Sequence, residues 1–354
     1  MRMRLIVTAV LLLLPVYMAE AVGSETPRSG QLYFGWASTS ITPDRPVAVA
    51  GQYHTRISGE VHDPLLATAL AIETRDGDGT IDQAVWVSCD LAVIRRKVQE
   101  DMREHVQQRL PELDVQKIIL SATHTHTAPA LTDADETDLH PYDFLGSWAY
   151  RIPPERDDVM RPAEYLEFLA ERLAAVVVEA WQARQPGGTS AALGRAIIAH
   201  NRRAVYTDGT ARMYGNTSDP KFSYIEGVSD HSVDLLFFWR GDKELAGLAI
   251  NVYCPAQEVE GQKYLSADFW YDARKMLREK YDADLWVLPL IGASGDQSPH
   301  LMWNKNAEHA QRERRGLSSR QEIARRIVRA VDEVFDNARE HIRTRVELQH
   351  QART

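Results

Sequence analysis

Ala84-Val85-Trp86-Val87-Ser88-Cys89-Asp90 and Lys117-Ile118-Ile119-Leu120-Ser121-Ala122-Thr123-His124-Thr125-His126-Thr127-Ala128-Pro129 bracket a helical stripe, and this stretch decides the fold. The two apolar runs, Ala84–Ser88 and Lys117–Ser121, have strand length and strand composition. Between them Val98, Met102, Val106 and Leu110 recur at helical spacing until Pro111 stops them. The result is a β-α-β unit ending in a loop of small and polar residues.

The same pattern returns downstream. Ala246–Val252 reads as a strand, Cys254-Pro255 as a turn, Phe269, Ala273, Met276 and Leu277 as a helix face, and Leu285–Leu290 as a second strand. A loop, Ser294–Pro299, closes this unit as His124–Pro129 closes the first. Two such units predict an α/β chain: mixed β-sheets flanked by helices around a pseudo-duplicated β-α-β core. Ligands of such sheets bind beyond the carboxyl ends of the strands. Asp90, His124, Cys254 and Ser298 are therefore expected on one rim, as the active-site loops.

Further strands are expected at Leu32–Trp36, Leu66–Glu73, Ala191–Ala199, Val233–Trp239 and Arg343–Leu348. Pro162 opens a helix through Trp181 that Pro186-Gly187-Gly188 ends, near the midpoint of the chain. Ser319-Arg320-Gln321-Glu322 reads as a capping box before Ile323, Ile327, Val331 and Val334. The acidic, aromatic segment from Leu131 to Arg161 is long enough to be a substrate lid or a surface insertion.

The chain has 354 residues, with 41 Lys and Arg against 50 Asp and Glu, a net charge of −9. That balance disfavours a nucleic-acid partner, which would need a basic face. Arg2 and Arg4, the apolar run Leu5–Tyr17 and Ala19-Glu20-Ala21 read as a signal peptide over residues 1–21, with one large domain over 22–354. Export to the periplasm or the extracellular space is expected. An oxidising compartment would permit a disulfide between Cys89 and Cys254, the alternative being two buried thiols.

Chemistry concentrates in two loops. In extended chain, His124 and His126 at i and i+2 point to one side, and imidazole is a common zinc ligand. The loop Gly292-Ala293-Ser294-Gly295-Asp296-Gln297-Ser298-Pro299 lacks the Gly-x-Ser-x-Gly elbow, so an α/β-hydrolase triad is disfavoured. Ser298 could serve as nucleophile or as hydroxyl donor to an oxyanion, and Asp296 could orient a histidine. Among other histidines, His54, His62, His200, His231 and His300 are candidate ligands, His62 and His300 first. Asp90 and Asp268 could fix histidine tautomers, or cap helices.

Ala122–Pro129 resembles the Thr-His-Thr-His-Ser-Gly-Pro segment of the neutral ceramidases, and Gly295–Pro299 resembles their Gly-Asp-Val-Ser-Pro segment. Val87–Leu91, Asn201-Arg202 and Ser266-Ala267-Asp268 fit in the same order, so the similarity runs over roughly residues 33–300. The resemblance implies a zinc-dependent amidohydrolase of a ceramide-like or other N-acyl substrate, small or lipid-like, with access from a membrane surface open to it. It implies His124 as a zinc ligand, His126 as a ligand or proton-transfer group, and Ser298 in catalysis.

The chain also departs from that family. Tyr253-Cys254-Pro255-Ala256-Gln257-Glu258 stands where a second histidine ligand is expected, leaving Cys254, Gln257 or Glu258 as substitutes. The family's glutamate and tyrosine ligands come from sequence well beyond the serine motif, so an incomplete or remodelled zinc shell is expected. Two other readings follow: a serine hydrolase that needs no metal, and a non-catalytic exported binding protein that keeps the fold.

Overall fold

The computed structural model describes residues 28–77, 79–132, 151–241 and 243–352. The expected signal peptide and most of the expected lid lie outside the described residues.

Two sheets repeat one plan. In the first, Ser29–Ser40 pairs antiparallel with Leu66–Asp76, which pairs antiparallel with Gly79–Cys89, which pairs parallel with Ile118–Ala122. In the second, Gly188–Arg195, Ser232–Arg240, Glu244–Val252 and Trp286–Ile291 repeat the sequence antiparallel, antiparallel, parallel. In each half the parallel pair is joined by a helix, Arg96–Arg109 or Phe269–Lys280. The duplication expected from the two β-α-β echoes is thus present in the pairing itself, and the second half begins at the expected Pro186–Gly188 punctuation.

The core falls into layers because each sheet is apolar on both faces. Leu32, Phe34, Trp36 and Leu70 of the first sheet meet Phe238, Ala246, Ala249 and Leu288 of the second, so the sheets pack face to face. Intervening residues face outward: Ala67, Ala69, Val85 and Val87 pack under Arg96–Arg109 and Pro162–Gln182. Leu235, Phe237, Leu248 and Ile250 pack under Phe269–Lys280 and Ser319–Glu340. Burying apolar residues on alternate faces of one strand is what period-2 geometry allows.

Some boundaries differ from expectation. The strand expected at Ala191–Ala199 runs Gly188–Arg195, and Ala196–Ala199, though largely buried, continues without ladder pairing. The cap of the last helix sits one residue earlier than expected: Ser318 Oγ accepts from Gln321 N while Gln321 Oε1 accepts from Ser318 N. No helix among the described residues is long and apolar enough to cross a membrane. Cys89 and Cys254 are free, buried thiols in different core clusters, so the disulfide alternative is not realised.

Three buried contacts tie the halves together near the shared rim. Ser88 Oγ donates to the Pro289 carbonyl at 2.5 Å, and Ala256 N donates to Thr123 O at 3.2 Å. Asp90, fully buried, accepts from Arg274 at 2.7 and 3.1 Å and from Leu66 N at 2.9 Å. Asp90 is therefore the partner of a guanidinium across the halves and fixes no histidine.

Candidate active site

The Thr123–Thr127 segment splits its side chains between core and cleft. Thr123, Thr125 and Thr127 are buried, and the hydroxyls of Thr125 and Thr127 each donate to the Ser266 carbonyl at 2.9 Å. The histidines between them face the other way. His124 takes a left-handed backbone, φ 61°, uncommon for a residue with a Cβ.

Each imidazole is oriented from behind. His124 Nδ1 lies 2.5 Å from the Ala92 carbonyl, which can only accept, so Nδ1 carries the proton and Nε2 presents its lone pair. His126 Nδ1 faces the Glu260 carboxylate at 3.3 Å. The two Nε2 atoms then converge at 3.4 Å, and the Gln257 amide nitrogen lies 2.7 Å from His126 Nε2. Burial and the neighbouring His126 push His124 down to about 4 against the pull of the Ala92 carbonyl, which keeps it neutral at pH 7.

Glu260 links the histidines to the serine loop. It faces His126 on one side and His300 Nε2, at 3.5 Å, on the other. Burial would raise its pKa, but the hydrogen bonds from His126 and His300 prevail and hold it at about 2. The same carboxylate raises His300, whose Nε2 also donates to the Gln257 carbonyl at 2.9 Å. Tyr214, in a left-handed backbone with φ 53°, donates its hydroxyl to Ser298 Oγ at 3.1 Å. Ser298, fully buried, accepts a second bond from His300 N at 3.0 Å. With two donors already on its oxygen, the proton of Ser298 is what remains to be given. Arg202 packs on the Tyr214 ring and donates to the Tyr214 hydroxyl and the Gly295 carbonyl.

A rigid frame holds these groups. The guanidinium of Arg56, buried to 2% exposure, donates to the carbonyls of Ala50, His126, Glu260 and Gln262 at 2.5–2.8 Å, clamping three site segments together. Asp268 accepts from Val259 N at 2.9 Å and from Phe269 N, so it both caps its helix and fixes the turn that carries Gln257 and Glu260. Burial lifts Asp268 to about 7, against those two N–H donors. Behind it, Asp63 and Arg320 hold Ser266.

Gly51 completes the frame. Its φ is +96°, and a Cβ there would lie 2.2–2.6 Å from Cγ, Cβ and Nδ1 of His126. Gly51→Ala is expected to displace the imidazole and lower turnover roughly 10- to 100-fold, the range for disturbing what orients a ligand, with the melting curve still cooperative. Unchanged turnover would show that the position of the ring is not critical.

The structure brings together His124, His126, Gln257 and, through Glu260, His300 and Ser298. It does not bring Cys254 there. Cys254 continues the inward alternation of Ile250 and Val252, and its thiol donates to the Ile198 carbonyl in the second core, where burial pushes its pKa far up. The group from this segment that meets the histidines is Gln257. Asp296 orients no histidine; it accepts from Asn201 Nδ2 at 2.8 Å and braces the serine loop. His62 stacks on Tyr264 beside Arg320, and His200 pairs in register with Ser298. Tyr214, Glu260, Arg56 and Gly51 were not signalled by any motif.

No family model and no curated protein matches the sequence. Among solved structures, the neutral ceramidase from Pseudomonas aeruginosa is similar with a TM-score of 0.64 at 17% identity, over 87% of this chain and 45% of that one. A ceramidase described as complexed with C2 is similar with a TM-score of 0.62 at 16% identity, over 87% of this chain and 44% of that one. The fold is ceramidase-like. The ceramidase-like chain spans less than half the length of these two neighbours.

The histidine geometry bears on a metal. Among the described residues no three His, Cys, Asp or Glu side chains form a metal-holding group. Two nitrogens on one tetrahedral zinc, each about 2.0–2.1 Å away, would lie about 3.3–3.4 Å apart, and the two Nε2 atoms are separated by 3.4 Å. Metal-binding histidines characteristically donate their other N–H to a carbonyl or carboxylate, as Ala92 and Glu260 permit here. Gln257 Oε1 is buried with no partner among the described residues, and half a turn of the amide exchanges it with the nitrogen now facing His126. The pair of histidines fits zinc, with Gln257 as the nearest further donor.

Proposed function

We propose that this chain is an exported, zinc-dependent amidohydrolase of N-acyl substrates, ceramide-like or other. The observation that carries the reading is the convergence of two back-oriented imidazole Nε2 atoms, linked through Glu260 and Tyr214 to Ser298, in a ceramidase-like fold. Zinc would be held by His124 and His126 with Gln257. Bound there, it supplies Lewis acidity, which polarises a carbonyl and acidifies water.

The residues of the chain do the rest. A cleft of about 410 Å³ beside His124, whose lining mixes the apolar Ala92, Val93, Ile94, Leu120 and Ile291 with Ser121, Arg202, Gln257 and Ser294, is assigned to the acyl chain. Ser298 donates its free proton to the oxyanion that forms on the scissile carbonyl, and Tyr214 and His300 N fix the hydroxyl that does so. Among the described residues no basic side chain accepts from Ser298, so the oxyanion role is favoured over that of nucleophile. Glu260 faces both His126 and His300 and raises the pKa of His300, and we assign proton delivery to the departing amine to that imidazole.

Ser298→Ala is expected to lower kcat roughly 10²–10³-fold, the cost of one oxyanion donor, with KM and zinc content unchanged. Steady-state kinetics with elemental analysis checks this; an unchanged kcat removes Ser298 from the chemistry. A second reading, a binding protein that keeps the fold, is favoured by the lack of a three-ligand group among the described residues. Substrate binding without release of free amine would establish it.

A further inference from the structure

One region runs against the −9 net charge of the chain. Between the end of Gly188–Arg195 and the helices Lys305–Arg315 and Ser319–Glu340 lies a cleft of about 440 Å³. Arg195, Arg315, Arg325, Arg326 and Arg329 face it against Glu308, Glu322 and Glu333, an excess of two positive charges.

Three of the five arginines are pre-set. Glu322 is 1% exposed and accepts from Arg315, Arg325 and Arg326 at 2.7–2.9 Å. Arg326 is shared with Glu308. Two carboxylates cannot neutralise three guanidiniums, and each guanidinium has five N–H donors, so donors remain for a ligand. Because Glu322 holds the forks in place, a ligand there would face little further ordering cost. Planar, bidentate forks of this kind suit carboxylate, sulfonate or phosphate.

The cleft leads to the active site. A second cavity of about 240 Å³ shares His200, Glu322 and Arg326 with the first and ends at Glu258 and His300. The acyl cleft of the amidohydrolase reading lies on the His124 side of the site, so what extends past His300 is assigned to the amine half of a bound amide.

We propose that the N-acyl substrate carries an oxyanion on its amine half and that the arginine cleft receives it. This rests on the amidohydrolase reading. The test uses a matched pair, the N-lauroyl amides of 6-aminohexyl phosphate and of 6-aminohexanol, which differ only in the phosphate. At low salt, the intact chain should use the phosphate compound with kcat/KM at least about tenfold higher, the order that charge-assisted contacts supply. The double variant Arg315→Gln/Arg329→Gln alters two exposed side chains, and should lose the preference while hydrolysing the neutral amide unchanged. Equal use of both compounds by the intact chain, or a preference that survives in the variant, overturns the proposal.

If neither amide is cleaved, the amidohydrolase reading fails separately, and calorimetric titration with inorganic phosphate and with the phosphate amide still reads the cleft. Binding to the intact chain that the double variant loses supports an oxyanion site. No binding to the intact chain overturns it.

Discussion

His124→Ala is expected to abolish the proposed zinc binding and to lower amide hydrolysis by more than the roughly 100-fold that losing a hydrogen-bond partner of a ligand costs. The expectation follows from position. His124 contributes one of the two converging Nε2 lone pairs, and its strained backbone is held only to aim that ring. No neighbouring His, Cys, Asp or Glu can replace it among the described residues. The fold should survive, because the threonines of the segment, not its histidines, anchor it to Ser266. Ala92 would lose a donor to its carbonyl, which water entering the vacated space can supply. Zinc content and turnover measured together check this; activity within a few-fold of the parent would remove His124 from the centre of the mechanism.

The largest stability effect is expected away from the chemistry. Arg274→Ala leaves Asp90 buried without its guanidinium, and should cost about 3–5 kcal/mol in denaturant unfolding at pH 7. Burial already raises Asp90, with Arg274 opposing that rise. Without the arginine it rises further, so the folded carboxyl binds a proton that the unfolded one has released. Stability of the variant should therefore fall as pH climbs from about 4 towards 7. The double variant Asp90→Leu/Arg274→Met, which removes both charges, should recover much of the loss. A deficit below about 1 kcal/mol at pH 7, flat with pH, would mean that this pair does not join the halves as described.

Much of the fold was legible because its strands are buried on both faces. Runs such as Val85–Val87 and Leu248–Ile250 carry an unbroken apolar signal, and their repetition with a helix between them announces the parallel pairs. His124, His126 and Ser298 were legible because they follow those strands. The rest of the site depends on geometry that spacing does not encode. Tyr214 reaches Ser298 from a left-handed turn in the segment after Asn201-Arg202. Glu260 reaches His126 because Asp268, eight residues on, fixes the intervening turn through Val259. Cys254 was a reasonable ligand by chemistry and fails by alternation: two residues past Val252, it points where Val252 points.

The central claim is that His124 and His126 hold zinc in a hydrolytic site, and its most direct test is calorimetric titration of zinc into the intact, chelator-treated chain. The account predicts one zinc per chain, bound by the parent and lost in His124→Ala. No saturable binding by the parent, or equal binding by the variant, would contradict it.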